Sequence, residues 1–543
     1  MSVSYYGIYI GYHPGVDLRY EGLGRQLAAF IKGAEENKRV RFVIVCPSWS
    51  QKAILELFIS EGVNANTVDI VRPKGQSVIL SLYAKYNNYV GQKKLTKKSW
   101  HPILKLNEWI NFGEVQLLEK LMTVRNLFSF SMYGLLWLFF IPIRLSMQSI
   151  SILSRAVRRI VRIPEKLNPY VKRIQKILLN PKKSIILSNC YQLIEQKENQ
   201  LMIELINKMT YVKAWYSPTA FWPYFNQIRA PKLMCVPDVV LTEFPVEFAI
   251  LGGEPLVQMF KKVETSIKQG EYFVTYSQHI KDSILIEKYG INSEKIKVIP
   301  HSANKLDHLI TIQGYGAAVD RTRRYSQQLL LSALKKSTYV EYTKNFNNTE
   351  VKYLFYASQF RPSKNIITLL RAYKYLLRNH FLGHKLILTG RPDILKEIDE
   401  YIDDNLLNYD VILIPQLTVK ELAATYHLAD LAINPSLSEG GCPFTFTEAL
   451  SVDTPAIMAD ISVTREVIQD TALQKLMLFD PYNWRDLAKK ILWALENKES
   501  LLSQQKTLYN QLKERTWTTV VDEHIQMLDS ISLSETEDYS QMA

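Results

Sequence analysis

From residue 351 onward, short apolar runs alternate with amphipathic segments. The runs "VKYLFYAS" and "HKLILTG" have the length and composition of buried strands, and "NIITLLRAYKYLLRNHF" between them has the apolar spacing of a helix. Such alternation is typical of βαβ units, in which helices cover both faces of a parallel sheet. The pattern therefore predicts an α/β domain over 345–515, followed by a C-terminal helix and tail at 516–543.

The N-terminal part, 1–320, shows the same alternation at its two ends. The helical pattern "GLGRQLAAFIKGAEE" precedes the strand pattern "VRFVIVCPS". Farther along, five runs are predicted strands: "KSIILSNC", "YVKAWYSP", "KLMCVPDVV", "YFVTYSQ" and "KIKVIPHS". We therefore expect a second α/β domain. Ligands of open parallel sheets bind beyond the carboxyl ends of the strands, so two facing sheets predict a ligand cleft between the domains.

One segment, an insertion at about 85–185, breaks this alternation. Residues 126–143, "NLFSFSMYGLLWLFFIPI", carry no charge, and residues 144–183 contain 11 Lys/Arg and one acid, Glu165. An apolar run beside a basic amphipathic helix is typical of a membrane interface. Pro142 favours a re-entrant or interfacial hairpin over a crossing helix. The alternative is a buried core hairpin with a solvated basic face.

The charge of the whole chain is concentrated in that insertion. The 543 residues carry 66 basic and 53 acidic side chains, a net charge of +13. The local excess argues for an anionic membrane surface at 126–183 and against a nucleic-acid groove. Four dispersed cysteines without metal spacing favour a reducing compartment, and the start of the chain predicts no cleaved signal peptide. We expect a cytoplasmic protein, peripheral or monotopic on the cytoplasmic membrane face.

Candidate chemistry lies in "SLSEGGCPFTFTEAL", residues 436–450. The strand "DLAINPS" should deliver this turn to the carboxyl edge of the C-terminal sheet. The backbone amides of Gly440, Gly441 and Cys442 can then face an anion, at the start of a helix predicted to begin at Pro443. Glu448 lies inside that helix, where a carboxylate can accept ribose hydroxyls, and Glu439 would reach hydroxyls of a donor group.

This segment resembles the C-terminal signature of retaining GT-B glycosyltransferases of family 4, E-G-F-G-x-P-x-x-E-A-M. The family has seven residues between the two glutamates, and this chain has eight. Either Gly440 and Gly441 absorb the extra residue as a bulge or Glu439 is displaced. The resemblance covers 345–500 well and 210–305 moderately. It implies two Rossmann-like domains facing across a cleft, here with a membrane-interacting helical insertion in the N-terminal domain.

"QFRPSK" resembles the family segment whose basic side chains hold the donor diphosphate. Lys364 matches the family lysine, Gln359 stands where the family has arginine, and Arg361 is the expected replacement. The resemblance thus implies Glu439, Lys364 and Arg361 as catalytic residues. It implies a donor-binding set made of Gly440, Gly441, Cys442, Glu448, Gln359 and His301.

The N-terminal loop "YEGLGR" fits the family's glycine loop, which faces the acceptor and the donor phosphate. Gly22, Gly24 and His13 are its candidate residues. Taken alone, the glycine pattern is equally typical of a turn between a strand and a helix. His13 has a surface or capping role as its alternative.

The resemblance implies transfer of a sugar from a nucleotide-sugar with retention at the anomeric carbon. No D-x-D triad occurs, so we expect a metal-independent reaction without a cofactor, the donor being a GDP- or UDP-sugar. "QFRPSK" is similar to the segment of some enzymes that use GDP-mannose, which favours mannose. The expected acceptor is a membrane-proximal or lipid-linked glycan. The alternatives are a GT-B sugar-nucleotide epimerase and a catalytically inactive, nucleotide-binding membrane scaffold.

Overall fold

The computed structural model describes the fold of two sheets and their flanking helices. The described residues are 3–75, 120, 124–138, 183–314, 318–343, 346, 351–391 and 394–542. Most of the predicted insertion at 85–185 lies outside them, including the basic run from 144 to 182.

The first sheet has seven parallel strands in the order β3-β2-β1-β4-β5-β6-β7. Its strands are β1 (Ser4–Tyr9), β2 (Val40–Val45), β3 (Val68–Val71), β4 (Val212–Ser217), β5 (Lys232–Cys235), β6 (Tyr272–Thr275) and β7 (Ile296–Val298). Successive residues of a strand point to opposite faces, and here Ile8 and Phe42 enter one apolar core while Tyr9 and Val43 enter another. Both faces of this sheet are therefore covered.

The helices of the N-terminal domain connect these strands. They are α1 (Gly22–Ala34), α2 (Gln51–Glu61), α3 (Leu127–Leu138), α4 (Lys183–Ile206), α5 (Val240–Glu243), α6 (Pro245–Gly252), α7 (Glu254–Lys268) and a π-helix (Ile280–Lys288). The strand predicted at 183–190 is wrong, because these residues form the first two turns of α4. The apolar run "SIIL" continues into "YQLIEQKENQLMIELI", whose apolar positions follow helical spacing.

The second sheet has six parallel strands in the order β10-β9-β8-β11-β12-β13. They are β8 (Tyr353–Tyr356), β9 (Lys385–Leu388), β10 (Val411–Leu413), β11 (Leu431–Asn434), β12 (Ala456–Ala459) and β13 (Leu478–Phe479). Its helices are α8 (Ala318–Leu334), α9 (Val340–Thr343), α10 (Ile366–Asn379), α11 (Lys396–Asp404), α12 (Val419–His427), α13 (Phe444–Ser451), α14 (Ser462–Val467), α15 (Thr471–Met477), α16 (Trp484–Glu496) and α17 (Lys498–Leu512).

The chain passes between the two domains twice. Leu306 and Leu330, upstream of β8, already belong to the core of the second domain. The last helix, α18 (Trp517–Met542), returns to the first domain, where Val521 and Leu528 are fully buried. A side chain at Gly33 would lie 2.6 Å from the backbone of Trp517, so α1 and α18 are in close contact. Helix α18 thus connects the end of the second domain back to the core of the first.

Candidate active site

The loop that follows β11 is fixed by its own buried polar side chains. Asn434, the last residue of β11, donates from Nδ2 to Thr445 Oγ1 at 3.1 Å and accepts from the Ser436 amide at 3.2 Å. The Ser436 hydroxyl donates to the Ser438 carbonyl oxygen at 2.9 Å. Buried polar groups that are paired in this way favour a single loop conformation. Glu439 therefore leaves the sheet edge at a defined point.

Lys364 and Glu439 meet at the carboxyl edge of the second sheet. Lys364 ends a short 3-10 helix, Pro362–Lys364, after β8. Its Nζ donates to Glu439 Oε1 at 2.8 Å and to Ser436 Oγ at 3.2 Å. The two charged side chains are 24% and 18% exposed, so an entering ligand can reach both of them. A lysine ammonium on its flexible stem can exchange a carboxylate partner for a phosphate.

Arg361 and Gln359 lie on the same loop as Lys364. The Arg361 guanidinium is exposed and donates to Gln359 Oε1 at 2.7 Å. Asp238 follows β5 in the other domain, and burial raises the pKa of its carboxyl while the charges of Lys364 and Arg361 oppose that rise. Lys364 and Arg361 of the second domain thus lie close enough to Asp238 of the first domain to affect its pKa.

Gly440 and Gly441 are in close contact with the N-terminal domain. A Cβ on Gly440 would lie 1.4 Å from the carbonyl oxygen of Pro237, and one on Gly441 would lie 2.7 Å from Tyr276 Cβ. Neither glycine has a positive φ. The sequence interpretation related these glycines to a bound anion, whereas in the structure the backbone of the facing domain takes up the space beside Gly440.

Glu448 makes its contacts across the cleft. It lies in α13, which begins at Phe444, one residue after the predicted start, because Pro443 caps the helix with a non-helical ψ of 126°. Its carboxylate is 2% exposed, and Oε1 accepts from Arg25 at 2.6 Å and from Asn304 Nδ2 at 3.0 Å. In this closed arrangement Glu448 is bound to protein groups.

His301 and Cys442 are placed in surroundings that disfavour their charged forms. The His301 ring packs 4.4 Å from the Phe444 ring, and its Nδ1 lies 3.1 Å from the Ser302 carbonyl oxygen. Burial lowers the pKa of His301 to about 4 and raises the pKa of the Cys442 thiol to about 12. His301 lines a cavity together with Tyr276 and Gly441, and the Cys442 thiol is unsuited to act as a nucleophile at neutral pH.

The three candidates of the N-terminal loop differ in their surroundings. A Cβ on Gly24 would lie 2.2 Å from the Leu18 carbonyl oxygen, whereas one on Gly22 would meet open space. His13 Nδ1 lies 2.9 Å from Glu195 Oε1, and that hydrogen bond raises the pKa of the imidazole. The tight turn thus requires Gly24, and His13 anchors its loop to α4.

A polar cavity of about 280 Å³ adjoins Glu439 in the cleft. Glu243 and His279 of the first domain line one side, and Asp460 and Arg465 of the second line the other. The Ser438 hydroxyl donates to the Glu243 carboxylate across the cleft. Carboxylates, a histidine and an arginine around one cavity are groups that hydrogen-bond to a polyhydroxylated ligand.

Sequence reasoning missed most of the contacts that join the two domains. The hydrogen bonds of Arg25 with Glu448 and of Ser438 with Glu243 were not predicted. Glu466 was also missed, and its carboxylate accepts from the backbone amides of Gln278 at 2.7 Å and His279 at 3.2 Å. The one available signal was the position of Arg25 at the end of the glycine loop.

Residues 341–515 match the family described as Glycosyl transferases group 1. This match covers 175 of the 543 residues, over the C-terminal domain, and includes Lys364, Glu439 and Glu448. The resemblance to glycosyltransferases drawn from the sequence is confirmed at this level. Among curated proteins, the chain is similar to the O-antigen chain mannosyltransferase RfbU of Salmonella typhimurium, with 26% identity over 230 residues. That match covers 42% of this chain and spans about half, 53%, of the relative.

Three solved structures resemble the chain along nearly its whole length. HepE of Anabaena, solved with UDP and glucose, has 11% identity and a TM-score of 0.53, covering 97% of this chain and 100% of its own. A glycosyltransferase of Rickettsia africae has 11% identity and a TM-score of 0.51, covering 98% and 99%. The trehalose-6-phosphate phosphatase N-terminal domain of Candida albicans has 12% identity and a TM-score of 0.54, covering 98% and 97%. These likenesses concern the fold, and the predicted two-domain GT-B architecture is confirmed.

Two features are absent from the residues that the structure describes. Among their helices, none is both long enough and apolar enough to cross a membrane. Within the same residues, no group of three or more His, Cys, Asp and Glu side chains is arranged to hold a metal ion.

Proposed function

We propose that this chain is a retaining, family 4 glycosyltransferase that moves a sugar from a nucleotide-sugar to a glycan acceptor. The observation that carries the proposal is the meeting of Lys364 and Glu439, 2.8 Å apart, where two loops leave the carboxyl edge of a glycosyl transferases group 1 domain. Ligands of open α/β sheets bind at this edge. The facing domain closes the site with its own polar groups.

The donor diphosphate would bind beside Lys364 and Arg361. Lys364 would exchange Glu439 for a phosphate oxygen, and the exposed Arg361 would add a planar, bidentate donor. The amino end of α13, which directly follows the loop, adds partial positive charge. Charge that develops on the leaving diphosphate is then stabilised by these groups without a metal ion or a cofactor.

The reaction we propose is a substitution on one face of the sugar. The bond from the anomeric carbon to the diphosphate oxygen breaks, and a bond from the same carbon to the acceptor oxygen forms on the same face. The departing phosphate oxygen takes the acceptor's proton, so no side chain has to act as a base. Glu439, released by Lys364, would bind sugar hydroxyls at the edge of the polar cavity.

Mannose is the sugar that we propose, delivered as a GDP-sugar, with a UDP-sugar as the second choice. The relative named for mannosyl transfer supports mannose, and the HepE structure, solved with UDP and glucose, supports a nucleotide-sugar in this fold. The segment from Gln359 to Lys364 favours GDP-mannose on its resemblance alone.

The acceptor we propose is lipid-linked or membrane-proximal, on the cytoplasmic face. Helix α3 exposes Leu127, Phe128 and Leu135, at 76%, 83% and 62%. Helix α6, which follows Glu243 of the cleft, exposes Val246 at 63% and Ile250 at 81%. Exposed apolar side chains on short helices, in a chain that also carries a strongly basic segment at 144–183, favour binding to an anionic membrane surface.

The test is thermal stabilisation of the purified chain by UDP, GDP and ADP. A nucleotide at 100 times its Kd stabilises the folded state by about 2.7 kcal/mol, which raises the Tm. We expect one nucleotide to shift the wild type and to have a smaller effect on Lys364→Met. The matched control is Lys385→Met, since Lys385 pairs with Asp410 at the same 2.8 Å and is 23% exposed.

Enzymatic turnover is measured on the same proteins. Release of GDP from GDP-mannose, or of UDP from UDP-glucose, should require Lys364 and tolerate the Lys385 substitution. Conversion of the sugar to its epimer without release of nucleotide would indicate an epimerase. Binding without either reaction, in the presence of lipid-linked acceptors, would indicate an inactive scaffold. No Tm shift with any of the three nucleotides would refute the donor site.

A further inference from the structure

A buried ion pair joins the two domains across the cleft. Arg25 is the last residue of the glycine loop and lies in the first turn of α1. Glu448 lies in α13, which follows the donor loop, residues 435–443. The Arg25 guanidinium donates to Glu448 Oε1 at 2.6 Å, with side-chain exposures of 21% and 2%. Asn304, on the segment that connects the domains, donates to the same oxygen at 3.0 Å.

The pair is embedded in further polar contacts. The Asn304 amide donates to Thr447 Oγ1 at 3.2 Å, which fixes α13 against the connecting segment. On the Arg25 side, Nε is buried without a hydrogen-bond partner, as is Oε1 of Glu61. Burial raises the pKa of Glu61, and the charge of Arg25 opposes that rise. The guanidinium thus neutralises carboxylates from both domains, and its removal leaves Glu448 buried without a counter-charge.

The backbone around Arg25 is rigid. Gly24 has no room for a side chain, because its Cβ would lie 2.2 Å from the Leu18 carbonyl oxygen. The next residue, Gln26, donates from Nε2 to the Tyr276 hydroxyl below the sheet edge. A guanidinium held on such a turn can set the distance between the glycine loop and α13.

We propose that Arg25 is a positioning residue that holds the glycine loop of the N-terminal domain in register with the donor loop through Glu448. This inference rests on the proposed function. The contact between Arg25 and Glu448 would hold the two domains in the closed state. In the closed state Glu448 serves the domain contact, and a ribose would reach it only in an opened cleft. Nucleotide binding depends mainly on the C-terminal loops, so the loss of Arg25 acts on turnover.

The test compares Arg25→Met, Arg25→Lys, Glu448→Gln and the double variant Arg25→Met/Glu448→Gln. The probes are UDP and GDP for binding and nucleotide release from UDP-glucose and GDP-mannose for turnover. We expect Arg25→Met to lower kcat at least 30-fold, with the Kd of the nucleotide changed less than threefold. Arg25→Lys, which keeps the charge, should recover part of that loss. The double variant should be no slower than the slower single variant, because both single changes break one contact.

The control is Arg41→Met. Arg41 pairs with Asp69 at the same 2.6 Å but within the first domain, so its loss should leave kcat unchanged. If Arg25→Met does not fold, the double variant and Glu448→Gln carry the test, because the double variant removes the buried charge of Glu448 together with that of its partner. Losses of kcat that multiply in the double variant, or a wild-type kcat in Arg25→Met, would overturn the positioning role.

A structural readout separates this inference from the proposed function. We expect Arg25→Met and the double variant to increase the radius of gyration in small-angle scattering, and Arg41→Met to leave it unchanged. If the wild type binds none of the nucleotides, the proposed function fails, and the scattering still decides whether Arg25 closes the cleft. If Arg25→Met changes neither the radius of gyration nor kcat, then Arg25 neither closes the cleft nor positions the glycine loop.

Discussion

Substitution of Gly440 by alanine should open the cleft. The added Cβ would lie 1.4 Å from the Pro237 carbonyl oxygen and 2.3 Å from its carbonyl carbon. A carbon and a carbonyl oxygen require about 3.3 Å, so the two backbones must separate by about 2 Å. Both partners are backbone atoms, and no side-chain rotation can absorb the overlap. A separation of this size would stretch the 2.6 Å Arg25–Glu448 hydrogen bond beyond the hydrogen-bonding range.

Turnover should fall steeply in this variant. A misplacement of about 1 Å at a reacting centre can cost about 100-fold in rate, so we expect at least that loss of kcat for nucleotide release from GDP-mannose or UDP-glucose. Overpacking costs about 1–3 kcal/mol of folding free energy, which lowers the Tm by a few degrees. Nucleotide affinity should change little, because Lys364 and Arg361 belong to one domain.

Gly383→Ala is the control, since a Cβ there meets open space and Gly383 lies between α10 and β9, outside the candidate site. It should keep the wild-type kcat, Tm and radius of gyration. Small-angle scattering of Gly440→Ala should report a larger radius of gyration than that of Gly383→Ala. A Gly440→Ala protein with wild-type turnover and an unchanged radius of gyration would refute the steric reasoning.

Three other predictions concern the fold and the site. Gly24→Ala places a Cβ 2.2 Å from a backbone oxygen, and the Tm should fall by several degrees in a thermal melt, whereas Gly22→Ala should not lower it. Cys442→Ala should keep turnover within threefold in the nucleotide-release assay, because the pKa of its thiol is raised to about 12. Burial lowers the pKa of His524 to about 4, so the stability it contributes is complete above pH 6.5 and is lost as the pH falls toward 4, about 3 kcal/mol in all. Urea unfolding at pH 7.5 and 4.5 should show this loss in the wild type and a smaller loss in His524→Leu.

The local elements of the C-terminal domain could be predicted because each one carries its own pattern. Strand β8 is an apolar run of tyrosine, leucine and phenylalanine, and α10 places its buried residues at helical spacing. Helix α12 begins at a capping box formed by Thr418 and Glu421. The misassigned segment at 183–190 failed for the opposite reason, since its apolar run is too short to distinguish a strand from a helix without the residues that follow.

The meeting of Lys364 and Glu439 follows from topology, because β8 and β11 are neighbours in the second sheet and both loops leave its carboxyl edge. The contacts of Arg25 and Glu243 follow from no such rule. Each lies in a helix of the first domain and meets its partner only where the two domains dock, and sequence periodicity contains no information on that docking. In the sequence, a charged residue that pairs with another domain cannot be distinguished from one that is exposed to solvent.

The two glutamates have partners in different domains. Glu439 pairs within its own domain, with Lys364, and Glu448 pairs with Arg25 of the other domain. Between them, Gly440 lies against Pro237, where there is no room for a side chain. A glycine beside a functional acid is therefore an ambiguous signal in a sequence. A bound ligand and a neighbouring domain can each require a residue without a side chain. Only the structure distinguishes the two, because it shows what a Cβ at that position would meet.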